Sequence, residues 1–327
     1  MNIIARNYPD CVEPMVMAAI PSTFVRALYL FFDTPPSTPA PVTTAISNST
    51  ARFQDHDPAL LGQAFTSLLL WVAPHCLAMD ELLRMDDLAR LFDMLCITPE
   101  VHNDMWHRAV VVVLNAIVRT GLTDKAITYL HKKGVVAKTL SSLNHVERMQ
   151  PQNVGHIVSI VINCVVESRK INPLLLSDLR RVCAFLTDIM LKLESLWVAA
   201  ADITLLCSLV RDIASLIFPP SESAAFGQIP KYTPVPNSAP VHNGMAFLVL
   251  HNIFLSAKAE SICGTILDII EELLYRDGLF YAILEENRSL ALFIERIETL
   301  PRNLQEKVFK LLGHVVCTLN VTPYPGT

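Results

Sequence analysis

The densest group of residues able to bind a metal or move a proton is His102, Asp104 and His107, near the start of a predicted helix. Two residues of one helix that share a metal ion are normally three or four positions apart, because that spacing places them on one face. His102 and His107 are five positions apart, which turns their side chains about 140° from each other. We therefore predict exposed or locally hydrogen-bonded side chains here, and no metal site.

A second unusual group is Asp202, because it lies inside the apolar run LWVAAADITLLCSLV. An unpaired charge is costly to bury. We favour a helix that starts at Asp202, with its carboxylate as the N-cap accepting from the amides near Thr204 and Leu205. The alternative is an unbroken helix, in which a buried Asp202 pairs with a basic group of a neighbouring helix.

The basic run His131, Lys132 and Lys133 precedes Gly134. Cations in the last turn of a helix complement the helix dipole, and glycine often follows the final helical residue. We interpret the run as a helix end.

Aromatic residues suggest two kinds of binding site. Trp71, Trp106 and Trp197 each lie in an apolar helical stripe, so we predict that they belong to the core and do not stack on a ligand. Aromatic-x-x-aliphatic tetrapeptides, of the kind bound by ubiquitin-like autophagy proteins, occur at 65–68, 92–95 and 309–312. Such docking requires an extended strand, whereas all three are predicted to be helical with their apolar residues facing inward.

The overall composition excludes several classes of protein. The chain has 327 residues, is 52% apolar and 17% charged, and carries a net charge of −5, so it offers no polycation for nucleic acid. Its eight cysteines are spread singly, which is typical of a reduced intracellular protein. The common dinucleotide, phosphate-loop, metalloprotease and serine-hydrolase motifs are missing from the sequence. We predict no catalytic, cofactor-binding or metal-binding residue, and no cofactor.

The mean hydropathy of +0.39 raises the question of a membrane. A spanning helix needs about 20 apolar residues, and the two best candidates, 154–166 and 195–210, are too short or too polar. The first residues do not form a signal peptide. We therefore expect a cytoplasmic protein with no transmembrane segment, in which direct lipid binding by this region is not expected.

Helices must position all of these residues. Two proline-rich inserts, 34–57 and 219–243, are predicted to be disordered or loosely extended. Elsewhere apolar residues recur at steps of three and four, with capping residues and prolines at Asp57-Pro58, Thr98-Pro99 and Asn172-Pro173. About sixteen helices are predicted, at 11–19, 21–33, 58–73, 76–84, 86–96, 99–120, 124–133, 135–149, 151–169, 173–196, 202–218, 244–257, 259–275, 279–286, 289–299 and 301–319.

So many short helices favour an all-α fold over residues 1–327. We predict an armadillo/HEAT-like α-solenoid of irregular antiparallel helix pairs, although no clean repeat period can be aligned. A globular all-α enzyme is the alternative. The final helix is strongly two-faced, so we expect the chain to continue into further helices and, on its own, to self-associate.

Residues 266–323 carry a resemblance to a known family. The matching elements are ILD at 266–268, Tyr275 with Asp277, Tyr281 with Ile283-Leu284-Glu285, SLALFIERI at 289–297, Leu300-Pro301, and Val315-Val316 followed by Leu319-Asn320. This stretch resembles the helical N-terminal region of the BEACH-domain scaffold family of WD-repeat and FYVE-domain-containing proteins, to which Alfy and fly blue cheese belong. The segment AIPSTFVRALYLFFDTP at 19–35 is similar to the same family.

The resemblance implies a cytosolic scaffold in selective autophagy of protein aggregates. The BEACH, WD-repeat and FYVE modules of that family are not present in this sequence, so what it implies here is the armadillo-like region and a protein-interaction role. The expected partners are other proteins or the remainder of a larger scaffold. A second hypothesis is an all-α enzyme or lipid-handling protein with an apolar pocket, in which polar groups such as His107 or Asp202 converge.

Overall fold

The chain is helical throughout the part that the structure describes. The computed structural model describes residues 2–32, 58–73, 75–100, 103–119, 122–171, 176–197, 200–217, 244–276 and 280–321. These ranges contain no strand, which confirms the all-α prediction. Both predicted inserts, 34–57 and 219–243, lie outside the described residues. The chain divides into two compact units, Met1–Ile171 and Asn172–Thr327.

The described part of the first unit contains ten α-helices and two short 3-10 helices. The α-helices are α1 (Asn2–Asn7), α2 (Val12–Met17), α3 (Ile20–Phe32), α4 (Pro58–Val72), α5 (Cys76–Arg84), α6 (Asp87–Leu95), α7 (Asp104–Arg119), α8 (Asp124–Lys132), α9 (Val135–Ser142) and α10 (Pro151–Ile171). The 3-10 helices are Pro9–Cys11 and Leu143–Arg148.

Helices of the first unit pack on one another at an interval of three. Helices α2, α3 and α4 contact α5, α6 and α7 in that order, and α5, α6 and α7 contact α8, α9 and α10. The middle helix α6 is buried on several sides, with Leu88, Leu91, Phe92 and Leu95 fully enclosed. Three groups of three helices therefore pack on one another in succession.

The described part of the second unit contains seven α-helices. They are α11 (Leu176–Leu196), α12 (Ala200–Ala214), α13 (Gly244–Ser256), α14 (Glu260–Arg276), α15 (Phe280–Glu286), α16 (Ser289–Arg296) and α17 (Arg302–Val321), with a 3-10 turn at Ile297–Thr299. Helix α11 packs on α13, and α12 packs on α14. Helix α13 in turn contacts α16, and α14 contacts α17. Four phenylalanines, Phe247, Phe254, Phe280 and Phe293, are fully buried between them.

One kind of helix joint recurs in both units. In each group of three in the first unit, the first helix meets the second through a residue in the left-handed conformation: Ala19, Asp86 and Gly134, with φ of 56°, 60° and 63°. Arg288, with φ of 53°, does the same between α15 and α16. This conformation costs a non-glycine residue roughly 1–2 kcal/mol. Only the Gly134 joint was predicted, and the structure confirms it.

Predicted helix boundaries hold to within a few residues, with three clear errors. The predicted helix at 135–149 ends at Ser142, and the 3-10 helix Leu143–Arg148 follows it. The short helix α1 was not predicted. The predicted helix at 99–120 begins instead at Asp104. Asn103 precedes it, and its side-chain oxygen accepts from the Glu100 amide at 2.7 Å while its Nδ2 donates to the Thr98 carbonyl at 3.4 Å. This turn replaces the predicted helix start at Thr98-Pro99.

Charged side chains hold the short connection between α13 and α14 in the second unit. Oε1 of Glu194, on α11, accepts from the backbone amides of Lys258 and Ala259, both at 2.6 Å. Arg296, on α16, donates to the Ala257 carbonyl and lies 5.0 Å from the ring centroid of Phe254. The Glu194 carboxylate thus binds the amides of this connection, and the Arg296 guanidinium binds its carbonyl.

Replacing Glu194 by alanine should lower the free energy of unfolding by about 1–2 kcal/mol, because two amides at a helix start lose their acceptor. The measurement is chemical denaturation followed by circular dichroism. Glu295→Ala removes an exposed carboxylate from α16 and should cost less than about 0.5 kcal/mol. Equal losses for the two variants would show that the Glu194 contacts do not stabilise the connection.

Candidate functional site

The predicted histidine and aspartate group does not form a metal site among the described residues. His102 lies outside them, and Asp104 forms an ion pair with Arg108 one turn along α7. The prediction for His107 was an exposed or a locally hydrogen-bonded side chain, and the structure shows a hydrogen-bonded side chain that is only 1% exposed. Its Nε2 lies 3.0 Å from the Leu95 carbonyl oxygen and donates to it, which ties α7 to the end of α6. Burial lowers the pKa of His107.

The predicted role of Asp202 as an N-cap is wrong. Helix α12 begins at Ala200, two residues earlier, because alanine has a high helix propensity. Asp202 lies in the first turn, where a negative charge still complements the helix dipole. It is half-buried, so it is not enclosed in the core as the alternative required. Leu206 and Leu209 carry the buried face.

The basic run His131–Lys133 does end a helix. His131 and Lys132 lie in the last turn of α8, as predicted, and Lys133 follows. The Lys133 ammonium is 3.1 Å from Asp86 and 5.4 Å from the ring centroid of Tyr129. The Tyr129 hydroxyl also donates to Asp86, and these two hydrogen bonds lower the pKa of the Asp86 carboxyl. The end of α8 therefore contacts Asp86, the left-handed residue between α5 and α6.

Two of the three tryptophans are buried as predicted, with Trp106 at 4% and Trp197 at 6% exposure. Trp71 is 48% exposed, so its assignment to the core is wrong.

All three aromatic tetrapeptides lie on helices, as predicted. Phe92 is fully buried, but Phe309 is 58% exposed, which contradicts the prediction that it faces inward.

Buried carboxylates join α3 to α5 and α6, and sequence analysis did not identify them. The Ser22 amide donates to Oε1 of Glu81 at 3.3 Å. Asp87 is fully buried, and its Oδ1 lies 3.3 Å from Nε of Arg26 and 3.1 Å from a terminal nitrogen of Arg90. One oxygen of each carboxylate has no hydrogen-bond partner. This interface links residues about sixty positions apart, so no local pattern could reveal it.

A second polar group lies along the contact between α7 and α10. We name the residues Asn115, Arg119, His156, Ser159 and Asn163 the α7–α10 polar cluster. Nδ2 of Asn115 lies 2.9 Å from Nδ1 of His156, and Arg119 donates to the Ser159 hydroxyl at 3.4 Å. Asn163 donates to the Ser159 carbonyl at 2.8 Å and to its hydroxyl at 3.2 Å. On each helix these polar residues are three or four positions apart and so share one face. This spacing is the one sequence signal that could have indicated the cluster.

Burial and exposure differ across this cluster. Asn115 and Ser159 are buried, at 7% and 2% exposure, whereas His156 and Asn163 are half-buried and Arg119 is exposed. Burial lowers the pKa of His156, and the nearby Arg119 charge lowers it further. Oδ1 of Asn115 is buried with no hydrogen-bond partner. The cluster thus combines one cation at the surface with neutral polar groups beneath it.

In the second unit, His251 on α13 is surrounded by aromatic rings. Its ring centroid is 6.0 Å from that of Phe247 and 5.6 Å from that of Phe293. Nδ1 contacts the Asn252 side chain at 3.3 Å, and Nε2 is buried with no hydrogen-bond partner. Burial lowers the pKa of His251. The imidazole is therefore held in the neutral form.

Seven of the described cysteines are free thiols, and two of these, Cys96 and Cys164, are unsuited to nucleophilic chemistry. Burial raises the pKa of Cys96 to about 11 and that of Cys164 to about 12, so neither ionises near neutral pH. No three His, Cys, Asp or Glu side chains in the described ranges lie together as a metal site.

Helix α17 leaves part of its apolar surface in solvent. Leu304, Val308 and Leu311 are buried as predicted, whereas Phe309 and Val316 are 58% and 56% exposed. The last two are seven positions apart, which places them on one face of the helix. Exposed apolar stripes of this kind favour association.

Replacing Phe309 and Val316 together by serine should reduce self-association of the chain. We expect light scattering coupled to size-exclusion chromatography to show a lower mean mass for the double variant than for the parent at the same concentration. Met17→Ser removes an apolar side chain that is 76% exposed in the first unit, and we expect it to leave the mass unchanged. A parent chain that is already monomeric at high concentration would contradict this prediction.

Among the described helices, none is by itself long and apolar enough to cross a membrane. The segments Pro9–Met17 and Ile20–Leu28 satisfy both criteria only when counted together, and a 73° bend separates them.

The comparisons with known proteins match this chain to no protein family and to no solved structure. The candidate site is therefore defined by geometry alone. His107 and Asp202, the two polar groups that the enzyme hypothesis named as examples, lie in the first and the second unit respectively. We take the α7–α10 polar cluster as the candidate site, because it combines a surface cation with half-buried side chains that form hydrogen bonds.

Proposed function

We propose that the chain is a non-catalytic helical scaffold that binds other proteins through an armadillo-like array of helices. The observation that carries this proposal is the packing interval of three in the first unit. Armadillo repeats contain three helices, and each repeat buries its apolar faces against the next one. An array of this kind presents an extended surface to partners without a catalytic centre.

The left-handed joints support the same arrangement. Ala19, Asp86 and Gly134 occupy the equivalent place in three successive groups of helices, between the first helix and the second. A recurring local geometry at a recurring place is typical of structural repeats. The organisation in threes favours armadillo-like repeats over the helix pairs predicted from the sequence.

The proposed cellular role rests on the resemblance to the BEACH-domain scaffold family. Its most specific stretch, 266–323, covers most of α14 and all of α15 to α17. Several matching residues, including Ile266, Leu284, Phe293 and Val315, are buried. We therefore propose a cytoplasmic scaffold region that takes part in selective autophagy of protein aggregates.

The proposal can be tested by tagging the chain at its own locus in the source cells, crosslinking, and quantifying the captured material. We expect at least one protein at near-stoichiometric amounts, with crosslinks to exposed residues of the helical units. The purified chain should show no turnover of ester, phosphate or peptide substrates. Reproducible turnover, or lipid that copurifies stoichiometrically without a protein partner, would contradict the scaffold and favour the enzyme or lipid-handling alternative.

A further inference from the structure

Arg119 is a cation without an opposite charge. Its Nη2 donates a hydrogen bond of 3.4 Å to the Ser159 hydroxyl, and no carboxylate pairs with it among the described residues. By contrast, Arg26 and Arg90 of the same unit contact Asp87, and Lys138 contacts Asp93 at 2.7 Å. The guanidinium has five N–H donors in all, so most of its hydrogen-bonding capacity remains open.

The groups beside Arg119 strengthen its preference for an anion. His156, Ser159 and Asn163 are neutral and polar, and none of them can balance the positive charge. Burial lowers the pKa of His156, and the nearby Arg119 charge lowers it further. Because the guanidinium lies at the surface, an anionic group of a partner can reach it.

On the basis of the scaffold function proposed above, we propose that the α7–α10 polar cluster binds a carboxylate from an acidic segment of a partner protein. Arg119 would bind the carboxylate through charge-assisted hydrogen bonds, next to the amide and imidazole groups of Asn163 and His156. A single cation matches one carboxylate. A phosphate group carries nearly twice that charge and is normally bound by several cations, whereas Arg119 is the single cation of the cluster.

The test uses the full chain and a fluorescein-labelled peptide of eight glutamates, titrated by fluorescence anisotropy at about 50 mM salt. We expect saturable binding that weakens as salt increases. Arg119→Gln should weaken binding at least tenfold, because a hydrogen bond to a charged group is lost. Arg119→Glu should weaken it further, and a peptide of eight lysines should not bind at this site.

Arg148 provides the matched control, because it is an exposed arginine of the same unit outside the cluster. Arg148→Gln and Arg148→Glu change the net charge equally and should reduce affinity less than twofold. Equal losses at Arg119 and Arg148, or no saturable binding by the parent chain, would overturn the proposal. Competition by inorganic phosphate at the concentration of the glutamate peptide would also overturn it, since the site would then prefer phosphate.

Failure of this inference can be separated from failure of the scaffold function. A chain that captures stoichiometric partners in cells but does not bind the acidic peptide remains a scaffold, and only the proposed docking site is rejected. A chain that captures no protein partner contradicts the scaffold function itself, whatever the peptide shows.

Discussion

Replacing both Arg26 and Arg90 by methionine should lower the free energy of unfolding by about 3–5 kcal/mol, and adding Asp87→Asn should restore most of it. Asp87 is fully buried at the start of α6, and the two arginines are the cations that contact its Oδ1. Without them a charged carboxylate would remain in the core with no counterion. Methionine keeps the apolar stem of arginine, so the loss isolates the charge.

Chemical denaturation of the double and triple variants measures this effect. The exposed pair Arg302 and Glu306 supplies the control, because Arg302→Met should cost less than about 1 kcal/mol. If Asp87→Asn does not improve the double variant, the cost comes from lost packing of the arginine stems and the buried charge is not responsible. The α3–α6 interface would then be stabilised mainly by apolar contacts.

Sequence periodicity predicted the class of fold well, because each helix alternates apolar and polar faces over its own length. It could not reveal the left-handed joints between helices. In the first unit these are Ala19, Asp86 and Gly134, and only glycine is a recognisable signal for a left-handed residue. Since Ala19 and Asp86 adopt this conformation against their own preference, tertiary packing must impose it. That information is absent from the local sequence.

Which face of a helix is exposed to solvent also depends on the tertiary structure. Helix α4 contains LLLWV, which is apolar around most of its circumference, so periodicity alone could not show that Trp71 faces solvent. On α17, Phe309 was predicted to face inward, whereas the structure buries Leu304, Val308 and Leu311 and leaves Phe309 and Val316 exposed. In both helices the face that is buried is set by the helices that pack against it.

The candidate site could be predicted only in part. The spacings of Asn115 with Arg119, and of His156 with Ser159 and Asn163, place each set on one helix face. The two sets are about forty residues apart, and only the packing of α7 on α10 brings them together. The same limit applies to Arg26 and Asp87, which are 61 positions apart and meet only because α3 packs on α6.

Lowering the pH should destabilise the protein through His251, and His251→Phe should remove that part of the effect. The folded state holds a neutral imidazole beside Phe247 and Phe293, with its pKa lowered by burial. Above pH ~6.5 the imidazole is neutral in both the folded and the unfolded chain, so it contributes no pH dependence. Below that pH the unfolded chain binds a proton that the folded chain does not bind. The free energy of unfolding then falls with decreasing pH until the lowered folded-state pKa is reached.

The expected slope from one such histidine is at most about 1.4 kcal/mol per pH unit. His107 and His156 also have lowered pKa values, so the parent chain should show a steeper dependence than one histidine can give. Denaturant titrations between pH 7.5 and 5 should show a flatter curve for His251→Phe, and its stability at pH 7.5 should not decrease, because a ring is retained and the unpartnered Nε2 is removed. Phe247→Leu is the control: it should lower stability by a similar amount at every pH, because it creates a cavity without changing a titrating group. An unchanged slope in His251→Phe would mean that the buried imidazole accepts its proton without unfolding the aromatic cluster.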